Sequence, residues 1–200
     1  MTTLTVRLLG VAAVVLATSP ALPTASEQGP VRYEIPNVPV VTDRGERLRF
    51  YDDLLKGRVV IVNFIYTRCA GRCPLAMATL ARVQELLGDR LGRDIFMLSV
   101  SLDPANDTPR VLRRYAETYR ARPGWAFLTG RPKDIERLRR SLGFYDRDPV
   151  VDADRTKHST LVAVGNDRVG RWSVAPGLAP PERIRDVVLE LAGAPSESAP

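Results

Sequence analysis

The sequence predicts an α/β fold in which a mixed β-sheet is flanked by helices. Strand-like and helix-like segments alternate along most of the chain, which is the pattern of this fold class. The run at 58–65 is β-branched and apolar throughout, which is typical of a strand buried on both faces. Two strand-like segments joined by a short turn come near the end of the chain, so part of the sheet is expected to be antiparallel.

The individual elements follow from local sequence signals. Residues 26–40 are proline-containing and predict an extended lead-in, and 40–46 predict a short strand and turn. Pro74 suits a first helical turn, and Gly88 suits a helix end. The other predicted elements are strands at 58–65, 95–101, 125–130, 159–164 and 168–174, a turn at 165–167, and helices at 74–87, 109–119, 132–142 and 181–192.

This order of elements predicts a thioredoxin-like fold. A loop bearing cysteines follows the central strand and begins a helix, and an antiparallel strand pair with a last helix closes the domain. We expect one domain at 26–193 and a disordered tail at 194–200.

The N-terminus predicts export from the cytoplasm. Arg7 precedes ten apolar or glycine residues at 8–17, and small residues and prolines continue to Ala25. This is the pattern of a secretory signal peptide, and the apolar run is shorter than the roughly 20 residues of a membrane span. An uncleaved N-terminal anchor at 1–25 is the alternative. Either way we expect a periplasmic or other extracytoplasmic location, with membrane contact only through an uncleaved N-terminus.

The positive charge of the chain does not indicate a nucleic-acid-binding protein. The 29 Lys and Arg against 23 Asp and Glu give a net charge of +6. The arginines are spread along the chain, whereas nucleic-acid-binding proteins concentrate their charge on one helix or stripe. We therefore expect a solvated basic surface and no nucleic-acid partner.

Cys69 and Cys73 are the only cysteines and lie in a C-x-x-x-C-P motif directly after the predicted central strand. On a loop at a helix start, thiols are expected to be partly exposed and to have a lowered pKa. A structural disulfide is a weaker explanation, because closing so short a loop stabilises a protein little. The motif therefore predicts redox or soft-metal chemistry.

His158 is the only histidine and directly precedes the predicted strand at 159–164. In a thioredoxin-like layout that strand enters beside the thiol loop. Two thiolates and an imidazole suit Cu(I), and they also suit Zn(II) with a water molecule. The alternative for His158 is a surface or strand-capping residue. Met77 is expected in the core and not as a fourth donor.

Four features together resemble the Sco/SenC family: the segment 63–74, the D-P-x-x-D-T-P element at 103–109, the strand 125–130 and the late histidine. Members are thioredoxin-like, exported or membrane-tethered copper proteins that help to assemble the Cu(A) centre of cytochrome c oxidase. The resemblance implies that Cys69, Cys73 and His158 bind copper as Cu(I) and Cu(II). It also implies that Asp103 and Asp107 are structural.

The chain differs from the family pattern near the thiols. Lys157 stands where the family usually has an acidic residue, and Arg68 and Arg72 flank the cysteines. Three cations around the thiols would favour thiolates and Cu(I) and disfavour Cu(II).

The sequence leaves three functions to compare. The first is a metallochaperone, not an enzyme in the turnover sense, that delivers copper to cytochrome c oxidase subunit II or another copper acceptor. The second is a thiol–disulfide oxidoreductase in which Cys69 attacks and Cys73 resolves the mixed disulfide, with periplasmic thioredoxin-like proteins as reductants. The third, weakest, is a thiol peroxidase assisted by Thr67 and Arg68.

Overall fold

A computed structural model describes residues 34–154 and 159–193 of the chain. These residues form a seven-stranded sheet with helices on both faces. The strands are β1 (Pro39–Thr42), β2 (Arg47–Arg49), β3 (Val59–Ile65), β4 (Ile95–Ser101), β5 (Trp125–Gly130), β6 (Leu161–Asn166) and β7 (Arg171–Pro176). The α-helices are α1 (Cys73–Leu87), α2 (Pro109–Thr118), α3 (Pro132–Ser141), α4 (Pro149–Ala153) and α5 (Pro181–Ala192).

The sheet is mixed, as the sequence predicts, with the strand order β2-β1-β5-β4-β3-β6-β7. Strands β3, β4 and β5 are parallel, and the flanking pairs at both edges are antiparallel. Every residue of β3 is buried because alternate side chains enter the core on opposite faces of the sheet. Helices α1, α2 and α5 cover one face, and α3 with the helical turn Phe50–Leu55 covers the other. In the described residues no helix has both the length and the apolar character needed to cross a bilayer.

The turn predicted at 165–167 lies two residues further along the chain in the structure. Strand β6 continues through Asn166, and the reversal lies at Asp167–Val169 with Gly170 in the left-handed region at φ +64°. Gly165 is a strand residue, and a Cβ there would lie only 2.5 Å from the Trp172 ring. The glycine is therefore required by cross-strand packing and not by the turn.

The other predicted strands and helices agree with the structure to within two residues at their ends, except that β7 begins three residues later than predicted. Helix α1 begins one residue earlier than predicted, so Cys73 is its first residue and not part of the preceding loop. The strand β2, the turn Phe50–Leu55 and the short helix α4 are not predicted from the sequence.

Candidate metal centre

The two thiols lie at the carboxyl end of β3, where the chain turns into α1. Cys69 is on the intervening loop and is half-buried, whereas Cys73 is 2% exposed. Neither thiol is in a disulfide, and the two side chains form a hydrogen bond with each other. The site therefore presents one accessible sulfur atom backed by one buried sulfur atom.

The environments of the two thiols drive their pKa values apart. Burial acts to raise the pKa of Cys69, but hydrogen bonds from the Cys73 thiol and from the backbone N–H groups of Cys73 and Gly71 outweigh it and lower the pKa. Burial raises the pKa of Cys73 to about 12, and its bond to Cys69 adds to the rise. The expectation of lowered thiol pKa values is thus confirmed for Cys69 and wrong for Cys73.

Tyr66 is a site residue that the sequence analysis did not identify. Its side chain hydrogen-bonds to Cys69 and contributes to the lowered pKa of that thiol. The residue directly follows the last residue of β3, so its polar tip lies at the same sheet edge as the cysteines. An aromatic residue with a hydroxyl between a buried strand and a cysteine was the available sequence signal.

Asp107 fixes the start of the thiol loop. Its buried carboxylate accepts hydrogen bonds from the Thr67 backbone N–H at 3.2 Å, from the Thr67 hydroxyl at 2.6 Å and from the Ser101 hydroxyl at 2.6 Å. Thr108, and not Asp107, caps α2 by accepting from the Val111 N–H. The carboxylate therefore joins the loop after β3 to the loop after β4.

Asp103 changes the expected charge of the site. Arg68 donates to its carboxylate at 2.8 Å, so this cation is balanced by an adjacent anion. Arg72 is exposed and forms no ion pair within the part of the chain that the structure describes. Lys157 lies outside the described residues. Of the three cations expected around the thiols, Arg68 therefore has its charge balanced by Asp103.

His158 also lies outside the described residues, and the structure describes the chain on either side of 155–158. Asp154 interacts electrostatically with Tyr66. Thr160 lines a small pocket together with Cys73. Within 34–154 and 159–193, no three His, Cys, Asp or Glu side chains are grouped closely enough to hold a metal ion.

Met77 is a core residue, as predicted, with no exposed surface. Its sulfur accepts a hydrogen bond from the Asn63 amide at 3.5 Å. The Asn63 side-chain oxygen in turn accepts from Ser99, whose hydroxyl accepts from the Trp125 indole N–H. This row of buried polar groups ties α1 to three strands.

The model of the family described as SCO1/SenC matches residues 40–192. The chain belongs to the SCO1/SenC family. A "SCO2-like protein" from Rickettsia felis is 30% identical over 168 residues, which cover 78% of this chain and 80% of that protein. A "Putative copper-binding protein" from Stutzerimonas stutzeri is 34% identical over 125 residues, 59% of this chain. That match spans 58% of the relative, and the match to the "SCO1 protein homolog" of Bacillus subtilis spans 51% of it.

Solved structures confirm the thioredoxin-like SCO1/SenC fold. BsSco, described as a member of the Sco family of cytochrome c oxidase assembly proteins with a disulfide switch, is 27% identical at a TM-score of 0.65. The match covers 82% of this chain and 96% of BsSco. Copper-bound Bradyrhizobium japonicum ScoI is 24% identical at a TM-score of 0.62, covering 78% of this chain and 99% of that one. At that identity the likeness concerns the fold alone.

Proposed function

We propose that this SCO1/SenC chain is an extracytoplasmic copper metallochaperone that holds copper with Cys69, Cys73 and His158. The observation that carries the proposal is the hydrogen-bonded pair of thiols at the β3–α1 junction. The copper in the description of the Stutzerimonas relative supports the choice of metal.

The thiol pair suits a soft metal ion. Cu(I) prefers thiolate ligands, and a Cys69 thiol with a lowered pKa supplies one thiolate readily. Cys73, with a pKa of about 12, is protonated at neutral pH and must release its proton when it binds. Copper uptake is therefore expected to release protons and to weaken as pH falls.

His158 is the proposed third ligand because of the chain on either side of it. Two residues of chain extend at most about 7 Å, so an imidazole two residues before Thr160 is within reach of the pocket that Thr160 shares with Cys73. An imidazole adds a donor that Cu(I) and Cu(II) both accept.

Transfer of the ion would proceed by ligand exchange. Cys69 is the more accessible thiol, so an acceptor's cysteine is expected to displace it first while the buried Cys73 still holds the ion. The proposed acceptor is the Cu(A) site of cytochrome c oxidase subunit II or another extracytoplasmic copper protein. The description of BsSco as a member of a family of cytochrome c oxidase assembly proteins supports the oxidase as the acceptor.

A Cu(I) competition titration of the reduced protein under anaerobic conditions tests the ligand set. Wild type is expected to hold one equivalent against a coloured chelator. His158→Ala should weaken binding by at least about tenfold, while Ser159→Ala, a neighbouring change that removes no metal ligand, should not. Unchanged affinity in His158→Ala would rule out the three-ligand model.

The divergent thiol pKa values favour thiol–disulfide reduction as a second candidate function. The Cys69 thiolate would attack an acceptor disulfide and release one acceptor thiolate, leaving a mixed disulfide. Cys73 would lose its proton and attack the Cys69 sulfur, forming the Cys69–Cys73 disulfide and releasing the second acceptor thiolate. A thioredoxin-like reductant would return the two electrons.

Trapping the mixed disulfide tests this second function. Cys73→Ser should accumulate a covalent adduct with a disulfide peptide, detected by mass spectrometry. Cys69→Ser is the matched control and should form little adduct at neutral pH, since the pKa of Cys73 is raised. Equal adduct formation by the two variants would contradict the assigned roles.

A further inference from the structure

The two edges of the sheet are protected from further strand pairing to different degrees. Strand β2, at one edge, has only three residues, and two of them are the exposed Arg47 and Arg49. Short strands and charged side chains are common devices that keep a sheet edge from pairing with another chain. Strand β7, at the other edge, has six residues and a single charged side chain, Arg171. In the part of the chain that the structure describes, no strand follows β7 in the sheet.

Strand β7 is regular over its whole length. Its residues pair one for one with those of β6, from Leu161 opposite Pro176 to Asn166 opposite Arg171. A bulge would have twisted the edge away from an approaching strand. Pro176 cannot donate a hydrogen bond, but it is the last residue of the strand. Residues 171–175 are therefore in the conformation that a further strand requires.

The surface around β7 is apolar and uncharged. Residues 172–181 contain no charged residue, although 26% of the whole chain is charged. Val174 is 45% exposed and Leu178 is 43% exposed, and Leu161, opposite the end of β7, is 38% exposed. Exposed apolar side chains grouped beside a regular strand edge are typical of an interaction surface.

We propose that β7 pairs antiparallel with β7 of a second copy of the chain, with the two-fold axis at Ser173. Charge favours a second copy as the partner. In this register Arg171 of each copy lies opposite Ala175 of the other, so no like charges face each other. The same operation on β2 would place Arg47 opposite Arg49, and directly opposed like charges destabilise a strand pair. The interface is isologous, and it joins the two seven-stranded sheets into one.

The proposed dimer leaves both thiol sites open. Strand β7 runs in the same direction as β3, since each of them is antiparallel to β6. Its carboxyl end therefore lies at the thiol edge of the sheet, where the Gly177 N–H donates to the Thr160 carbonyl at 2.9 Å. Antiparallel pairing points the two thiol edges in opposite directions, so neither copy covers Cys69 of the other. The inference does not depend on the bound metal.

The molar mass of the reduced, metal-free full chain, measured by light scattering and sedimentation, tests the pairing. Wild type should pass from the chain mass of 22.1 kDa to twice that value between about 1 μM and about 1 mM, because a small edge-to-edge interface binds weakly. Ser173→Lys and Ser173→Glu should each stay monomeric, since either change places like charges opposite each other on the axis. An equimolar mixture of the two variants should form the dimer again, because the opposed charges are then of opposite sign.

Val169→Lys is the matched control, since this exposed side chain lies in the turn before β7 and outside the proposed strand pair. It should dimerise as wild type does. A wild type that stays monomeric at about 1 mM would overturn the proposal. A dimer that forms equally well in both Ser173 variants, or variants that stay monomeric when mixed, would also overturn it, because the two strands would then not meet at Ser173.

Hydrogen exchange of the wild type gives a measurement that needs no variant to fold. The backbone amides of 171–175 should exchange more slowly at about 1 mM than at about 1 μM, because a second strand would protect them. Equal exchange of these amides at the two concentrations would refute the strand pairing.

Discussion

Replacing Asp107 with Asn tests whether a buried carboxylate holds the thiol loop in place. The carboxylate accepts three hydrogen bonds, two from Thr67 and one from Ser101. An asparagine oxygen can accept from the Thr67 N–H and from Ser101, but its NH2 group cannot accept from the Thr67 hydroxyl, which must rotate. All three contacts lose the assistance of the carboxylate charge. With about 1.5–3 kcal/mol for a hydrogen bond to a charged group, we expect Asp107→Asn to lower the free energy of unfolding by about 2–4 kcal/mol.

Urea unfolding measures this loss, and Asp103→Asn is the comparison. Asp103 pairs with Arg68, whose side chain is 66% exposed, so solvent screening should limit the contribution of that ion pair to about 1 kcal/mol or less. Its carboxylate also accepts from the Asn106 amide at 2.9 Å, a bond that an asparagine oxygen at position 103 can keep. Alkylation of Cys69 by iodoacetamide in native buffer adds a local measurement and should accelerate in Asp107→Asn. A loss below about 0.5 kcal/mol with unchanged alkylation would show that Asp107 does not hold the loop.

Three further predictions concern other parts of the molecule. In the reduced protein, mass mapping should find Cys69 alkylated near neutral pH and Cys73 alkylated only at strongly alkaline pH. The reason is that the pKa values of the two thiols are shifted in opposite directions. Equal labelling of both near neutral pH would contradict this prediction. Hydrogen bonds from α3 arginines, chiefly Arg139, lower the pKa of Asp152. The carboxylate therefore contributes stability above the unfolded pKa of about 4, and this contribution is lost as pH falls. In Asp152→Asn the free energy of unfolding should change less with pH on the acid side than it does in wild type. Gly165→Ala places a methyl group 2.5 Å from the Trp172 ring and should lower the free energy of unfolding by about 1–3 kcal/mol in thermal melts, whereas no loss would show that the ring can move aside.

The parts of the fold that the sequence predicts well are those fixed by local signals. The β-branched run of β3, the proline in the first turn of α1 and the glycine Gly88 at its end each act within a few residues. The helix α4 carries no apolar periodicity, and its anchor comes from Arg139, 13 positions from Asp152. Such a contact between distant positions leaves no local pattern to recognise.

In the candidate site, too, the sequence predicts the features that depend on neighbouring residues and not those that depend on distant ones. The cysteine motif predicts the place of both thiols, but the burial of Cys73 depends on α1 packing against β3 and on the neighbouring strand β6, which the motif does not encode. Likewise, the sequence around Thr67 and Arg68 does not show that Asp107 and Asp103, 40 and 35 positions later, bind these two side chains. The ligand role of His158 stays a prediction.

The thiol loop and the helix α4, which precedes residues 155–158, are anchored to different parts of the scaffold. Asp107 ties the loop carrying Cys69 to the end of β4, whereas α4 is tied to α3. Elements with separate anchors can open separately, so the energy barrier to releasing one ligand need not include the cost of moving the other two. On the proposed ligand set, a bound ion could pass to an acceptor through a series of low barriers, which would combine strong retention with rapid exchange.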